Sequence, residues 1–158
     1  MRLKHVSLGI VACIVAGSAA GFAAQKIHAD WPSAQQVKRA FANHKYKMDH
    51  IAKEKYKGHP IIFTPCEMSD LSGEQKARGM ILGKLQTEVS SADKLPKGTY
   101  LVYVQKRNDQ WQAFFCEPGT FEPIQKSTEV KSDLDDHDRP SFEVDNTTIR
   151  YWRLRVAY

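Results

Sequence analysis

TYLVYVQKRNDQWQAFFCE, residues 99–117, is the stretch whose reading decides the fold. From Leu95 onward the apolar period is two rather than that of a helix, which predicts a strand over 99–106. Asn108-Asp109 supplies the turn and 110–117 returns antiparallel to it. In the returning strand Trp111, Ala113 and Phe115 fall on one face, and Gln112, Phe114 and Cys116 on the other.

Downstream, Pro118-Gly119 breaks the chain, 120–130 reads as a weaker strand, and KSDLDDHDRP (131–140) as a polar loop. Phe142 to Val144, a turn at Asp145-Asn146 and one long strand over 147–158 close the chain. Upstream, Ser72 and Gln75 have capping-box spacing, and Ala77, Ile81, Leu85 and Glu88 follow at helical intervals. These predict a helix over 73–90. Gly79 and Gly83 cost it about 1 kcal/mol each, so the alternatives are a close neighbour at those glycines or a strand over 79–89. Ile61-Ile62-Phe63, bounded by Pro60 and Pro65, reads as a short edge or entry strand.

Ser33 and Gln36 form another capping box, and Pro32 stops any earlier helix from running through. A basic helix is expected over 33–57, ended by Gly58 and Pro60. Ala34, Val37, Phe41, His44, Met48 and Ile51 make an a/d seam along it, with Lys38, Arg39, Lys45, Lys47, Lys53 and Lys57 on the other faces. Such a stripe packs on its own domain, pairs with a second chain, or rests on anionic head groups.

At the N-terminus, Arg2 and Lys4 precede an uncharged run over 6–24. Residues 1–29 read as a cleaved secretory signal or an uncleaved membrane anchor, with a lipid-modified Cys13 as a third alternative. Gly17 and Gly21 form a GxxxG in a small-residue face suited to helix packing in lipid. Residues 30–158 then form a single exported domain. The net charge is +5, but unevenly placed. Eight Lys/Arg stand against three acids over 26–57, and thirteen against fifteen beyond. The basic character belongs to the N-terminal third, which together with export argues against a nucleic acid partner.

Cys66 and Cys116 remain once Cys13 is assigned to the leader, and an even pair in an exported domain reads as a disulfide. Closing that loop would contribute roughly 4 kcal/mol in the chain-entropy model. Two buried free thiols, or one catalytic thiol with a histidine such as His59 or His137, are the alternatives.

Other chemistry is thinly signalled. Asp133, Asp135, Asp136 and Asp138 crowd oxygen ligands as a calcium loop does. Counted from Asp133, however, the EF-hand glycine position is Asp138 and the glutamate position is Val144. A solvated loop is the plainer reading, and a weak cation site the other. His28, His44, His50 and His59 show no HExxH spacing. No GxSxG, P-loop or GxGxxG occurs, and no cofactor is expected. Arg150, Trp152, Arg153 and Arg155, with Tyr151 and Tyr158, are residue types that anchor interfaces.

The resulting expectation is an α+β fold: a leader helix, then one or two amphipathic helices packed on a small antiparallel sheet stapled by Cys66–Cys116. The expected role is that of a periplasmic, secreted or membrane-anchored envelope protein acting by protein–protein contact. Interface candidates are Gly17, Gly21, Val37, Phe41, Met48, Ile51, Arg150, Trp152, Arg153 and Arg155. The alternatives are a secreted hydrolase or thiol enzyme using Cys116 or Cys66 with a histidine, and a single-pass subunit of a membrane complex.

Overall fold

Asn108 and Asp109 both adopt positive φ, 49° and 59°. This is the two-residue turn whose twist matches that of the strands it joins. It connects β4 (Gly98–Arg107) to β5 (Gln110–Cys116), with Val104 opposite Ala113 and Val102 opposite Phe115. The hairpin is as expected from its alternation. The computed structural model describes residues 28–67, 79–91, 95–132, 142–152 and 154–158.

Around this hairpin the chain builds a six-stranded antiparallel sheet in sequence order. Its other members are β1 (Ala52–Tyr56), β2 (His59–Pro65), β3 (Met80–Thr87) and β6 (Pro123–Lys126). A second sheet holds β7 (Glu129–Ser132), β8 (Phe142–Val144), β9 (Thr148–Tyr151) and β10 (Leu154–Ala157), in the order β7-β10-β9-β8. The expected strand over 120–130 is therefore two strands in different sheets. The Ser127 N–H donates to Ala113 O of the first sheet, and the next N–H, of Thr128, to Ala157 O of the second.

Alternation along β4 and β5 sends side chains into two cores. Tyr100, Val102, Val104, Ala113 and Phe115 meet Val144, Ile149, Tyr151, Leu154, Val156 and Tyr158 of the second sheet. Leu101, Tyr103, Phe114 and Cys116 face the other way, under Val37 of helix α1 (Ala34–Ala42), with Trp31, Phe41, Tyr46 and Phe121 packed around them. A helix, a six-stranded sheet and a four-stranded sheet thus form three layers. The middle layer is covered on both faces, so β4 is buried without a break from Tyr100 to Gln105. Burying one such aromatic or aliphatic side chain contributes about 1.5–3 kcal/mol.

The α+β expectation is corrected: the chain is mostly β, with a single nine-residue α-helix among the described residues. The Ser33–Gln36 capping box is present, with Ser33 N–H donating to Gln36 Oε1 at 2.7 Å. The helix nonetheless stops at Ala42, where Asn43 caps it. The next residues are held beside the end of β2: Lys47 N–H donates to Pro65 O and Glu67 N–H to Lys45 O. Met48–His50 is one 3-10 turn, and Ala52–Tyr56 pairs with β2 across Lys57-Gly58, whose φ values are 49° and 84°. The residues read as a helix stop are a hairpin turn. Lys and Glu favour helices by only a few tenths of a kcal/mol each, and pairing with an apolar strand overrides that.

Three further readings change. Within the helix expected over 73–90, residues 80–87 are β3, between β2 and β4, so the strand alternative is the one formed. Its glycines have close neighbours as well. A Cβ at Gly83 would overlap Thr64 O and come within 2.6 Å of the Phe63 ring, while Gly79 has φ 98° beneath the Tyr103 ring. β2 is not an edge strand: it pairs on both sides, with Pro60 and Pro65 near its two ends. The long strand over 147–158 is a hairpin, broken at Trp152, which takes φ 53°.

Residues 1–27, with Gly17 and Gly21, lie outside the described residues, as do 68–78, Arg153 and the aspartates at 133, 135, 136 and 138. Among the described residues no helix is long and apolar enough to cross a membrane.

Gly83→Ala is expected to lower the unfolding free energy by about 1–3 kcal/mol, because the overlapped atom is backbone. Gly58→Asn should cost less than about 1 kcal/mol, since Asn visits the left-handed region and nothing lies within 4 Å of a Cβ there. Urea midpoints of the two variants check this. An undisturbed Gly83→Ala protein would contradict the packing of β2 on β3.

Candidate functional site

Alternation in the β9–β10 hairpin turns Ile149, Tyr151, Leu154 and Val156 inward. Arg150 and Arg155, which are paired across the strands, therefore point outward. The row continues on both sides, with Glu143 of β8 opposite Arg150 and Lys131 of β7 opposite Arg155. Arg150 Nε lies 3.5 Å from Glu143 Oε2, and Lys131 Nζ 3.2 Å from Glu129 Oε2. Arg155 stands between two cations, an arrangement that is locally unfavourable. Among the described residues it has no carboxylate partner.

β1, the edge of the first sheet, lies against β8, the edge of the second. Between them a cleft of about 340 Å³ runs onto the outer face of the second sheet. β1 contributes Ala52, Lys53 and Glu54; β8 and its turn contribute Phe142 to Asp145 and Thr148; Arg150 and Arg155 complete the lining. Phe142 is flanked by the His50 ring at 5.4 Å and by Lys47 Nζ at 5.9 Å.

The acids of this cleft are already engaged. Glu54 Oε1 accepts the Lys55 N–H at 2.9 Å. Asp145 Oδ1 accepts the N–H groups of Thr147 and Thr148 at 2.6 and 2.7 Å, and the Thr148 hydroxyl donates to Oδ2. Partial burial raises the Asp145 pKa, but these hydrogen bonds outweigh it and hold the carboxyl below its usual range.

Of the residues expected at an interface, the structure brings Arg150 and Arg155 together in this cleft. Val37 is fully buried beneath α1. Phe41 packs on Phe121, ring centres 5.4 Å apart. That part of the seam is covered by the chain's own sheet. Met48 lies 66% exposed on the 3-10 turn, Ile51 is half-buried, and Trp152 stands exposed at the β9–β10 turn. Lys53, Phe142, Glu143, Asp145 and Thr148 were not singled out by sequence. The sequence places Lys53 on the polar face of a helix, and only the Lys57-Gly58 turn signals that it belongs to an edge strand.

Cys66 and Cys116 are both free and buried. The expected cross-link is not formed: β3 and β4 lie between the strands that end at these residues. Three strand spacings separate them, on the order of 14 Å, whereas a disulfide needs Cα atoms within about 7 Å. Burial pushes the Cys66 thiol up to about 12. Burial, and then the charge of Glu122, raise Cys116 as well. His59 sits exposed at the opposite end of β2 from Cys66, 4.0 Å from Glu88 Oε2. His44 is packed between Phe41 and Tyr46. His137 lies outside the described residues. No thiol–histidine pair is assembled among the described residues. Nor is there among them a group of three or more His, Cys, Asp or Glu side chains placed to hold a metal.

In the native protein both thiols are expected to be silent toward an aromatic disulfide reagent, and to react on unfolding without added reductant. A requirement for reductant would restore the cross-link. The protonated Cys66 thiol is favoured by folding, so its contribution is complete below pH 9.0 and is lost as the pH rises towards about 12. Tyr46 and Tyr103, pushed up to about 12 by burial first, add to the same trend. Urea midpoints should therefore fall above about pH 9.

Comparison with protein-family models, with curated proteins and with solved structures finds no match to this chain.

Proposed function

We propose that the chain is an exported cell-envelope protein, an accessory or assembly subunit that works by contact with a protein partner. Its contact face is the outer side of the four-stranded sheet together with the cleft beside β1. Arg2, Lys4 and the uncharged run over 6–24 support export, whether the leader is removed or kept as an anchor.

The observation that carries the contact reading is the position of Arg155. It faces Arg150 on one side and Lys131 on the other, and no carboxylate of the described residues compensates it. Arg150 and Lys131 have Glu143 and Glu129 beside them, so Arg155 is the cation of the row left for an opposite charge on a partner. Trp152, exposed at the turn of the same hairpin, adds an aromatic anchor of the kind interfaces use. The thiol-enzyme alternative has less support, because among the described residues no histidine pairs with Cys66 or Cys116.

Replacing both Arg150 and Arg155 by Glu in the full-length chain should cost about 1 kcal/mol or less of stability, chiefly because Glu at 150 would stand opposite Glu143, and should leave the chain folded. The same change should strongly reduce crosslinked adducts recovered from the envelope fraction of the native host. Adducts unchanged by the double reversal would refute this face. Intact mass of the native protein separates the two leader readings. A start at Gly21 or shortly after means a cleaved signal, and a full-length mass in the membrane fraction means an anchor.

A further inference from the structure

The Lys57-Gly58 turn fixes which backbone groups of β1 face outward. A two-residue turn makes Tyr56 and His59 a pair that exchanges both N–H···O bonds. Bonded and non-bonded pairs then alternate, so Glu54–Ile61 and Ala52–Phe63 are bonded whereas Lys55–Pro60 and Lys53–Ile62 are not. Two observations agree with this. Pro60 has no N–H to give Lys55, and the Lys55 N–H donates instead to Glu54 Oε1 at 2.9 Å. The N–H and C=O groups of Lys53 and Lys55 therefore point away from β2, along an edge that is exposed from Lys53 to Tyr56. Among the described residues no other strand pairs with them.

We infer that β1 receives a strand of the protein partner, added antiparallel at this edge, with Glu-Lys-Glu opposite Lys53-Glu54-Lys55. The inference rests on the contact reading above and gives the partner's segment its backbone form. The outward N–H and C=O groups supply main-chain hydrogen bonds, the source of affinity in strand addition, and the side chains opposite them supply the selectivity. An incoming carbonyl takes the Lys55 N–H from the Glu54 carboxylate, which is then free to meet a lysine. Lys53 and Lys55 lie on one side of the strand and Glu54 on the other, so each side of the incoming strand meets the opposite charge. The same pattern excludes a second copy of this chain. Bonding outward through Lys53 and Lys55 alone, β1 can pair with itself only in antiparallel registers that set lysine against lysine. The cleft beside β8, bordered by Lys53 and Glu54, opens on this edge.

The test is fluorescence anisotropy of dye-labelled Val-Thr-Glu-Lys-Glu-Thr-Val titrated with the full-length chain. This peptide should bind about tenfold tighter than Val-Thr-Lys-Glu-Lys-Thr-Val, since three cross-strand pairs change sign. Reversing the edge with Lys53→Glu, Glu54→Lys and Lys55→Glu together should invert that preference. The three sites are exposed, and the chain stays net positive, so overall charge does not produce the inversion. N-methylation of both peptide glutamates, whose N–H groups face β1, should abolish binding. N-methylation of the peptide lysine, whose N–H faces away, should not. Absence of binding overturns the inference. So does a preference that survives the edge reversal, or equal binding of the two methylated peptides, which is charge attraction without an added strand. If the first peptide fails while the Arg150/Arg155 reversal still abolishes the envelope adducts, strand addition falls and the contact face stands. If the adducts survive that reversal, the contact reading itself has failed.

Discussion

The peptide unit at Cys66 fastens three parts of the chain together. Its N–H donates to Leu82 O at 2.8 Å, which ties the end of β2 to β3. Its carbonyl accepts the hydroxyl of Tyr151 at 3.1 Å, a fully buried side chain that reaches it from the second sheet. Across from it, Tyr46 forms an isolated bridge, and Lys47 and Glu67 bond on either side. A buried tyrosine hydroxyl left without its acceptor costs about 1–3 kcal/mol, so the second sheet has one strongly preferred seat on the first. The same junction ends the helical segment early. Residues 45–47 can satisfy the end of β2 only by leaving the helix, and the chain then enters β1 as the sheet's edge.

Everything at the cleft follows from that placement. Lys53 reaches the second sheet because β1 lies against β8, and β8 is positioned through β9, whose Tyr151 makes the bond to Cys66. The cation row depends on register in the same way. A one-residue slip between β9 and β10 would send Arg150 and Arg155 into a core occupied by Ile149 and Val156. Their outward direction is therefore fixed by the apolar residues beside them.

Much of the β structure was legible where a two-residue period and a turn residue coincided, as in 99–117 around Asn108-Asp109. The Ser33–Gln36 cap was legible too, because its chemistry is local. What failed did so where short-range signals were satisfied by coincidence. Val37, Phe41, Met48 and Ile51 keep heptad spacing, yet only the first two are on the helix. The last two precede a strand whose Lys and Glu residues carry almost no apolar pattern, because β1 is exposed along most of its length. Cys66 and Cys116 were paired by counting, whereas the fold puts both on the same face of one sheet with two strands between them. Of the site, Arg150, Trp152 and Arg155 stood out by residue type. Lys53, Glu143 and Asp145 did not, because their proximity is a product of how two sheet edges meet.

That meeting of edges also gives the surface its chemistry. An open edge invites pairing with another chain, and charged side chains, lysines above all, are the common protection. β1 carries Lys53 and Lys55 around Glu54, is exposed along most of its length, and lies beside β8. Protection of this kind concentrates charge at the seam between the sheets. Between the two edges the seam opens as a cleft. Within it the acids find partners nearby, in a neighbouring amide, an arginine and two threonines. Lys53 and Arg155 have no carboxylate ion pair among the described residues, Arg155 standing between Arg150 and Lys131. A device that keeps the sheets from pairing indiscriminately thus gathers charged side chains of both signs along one seam.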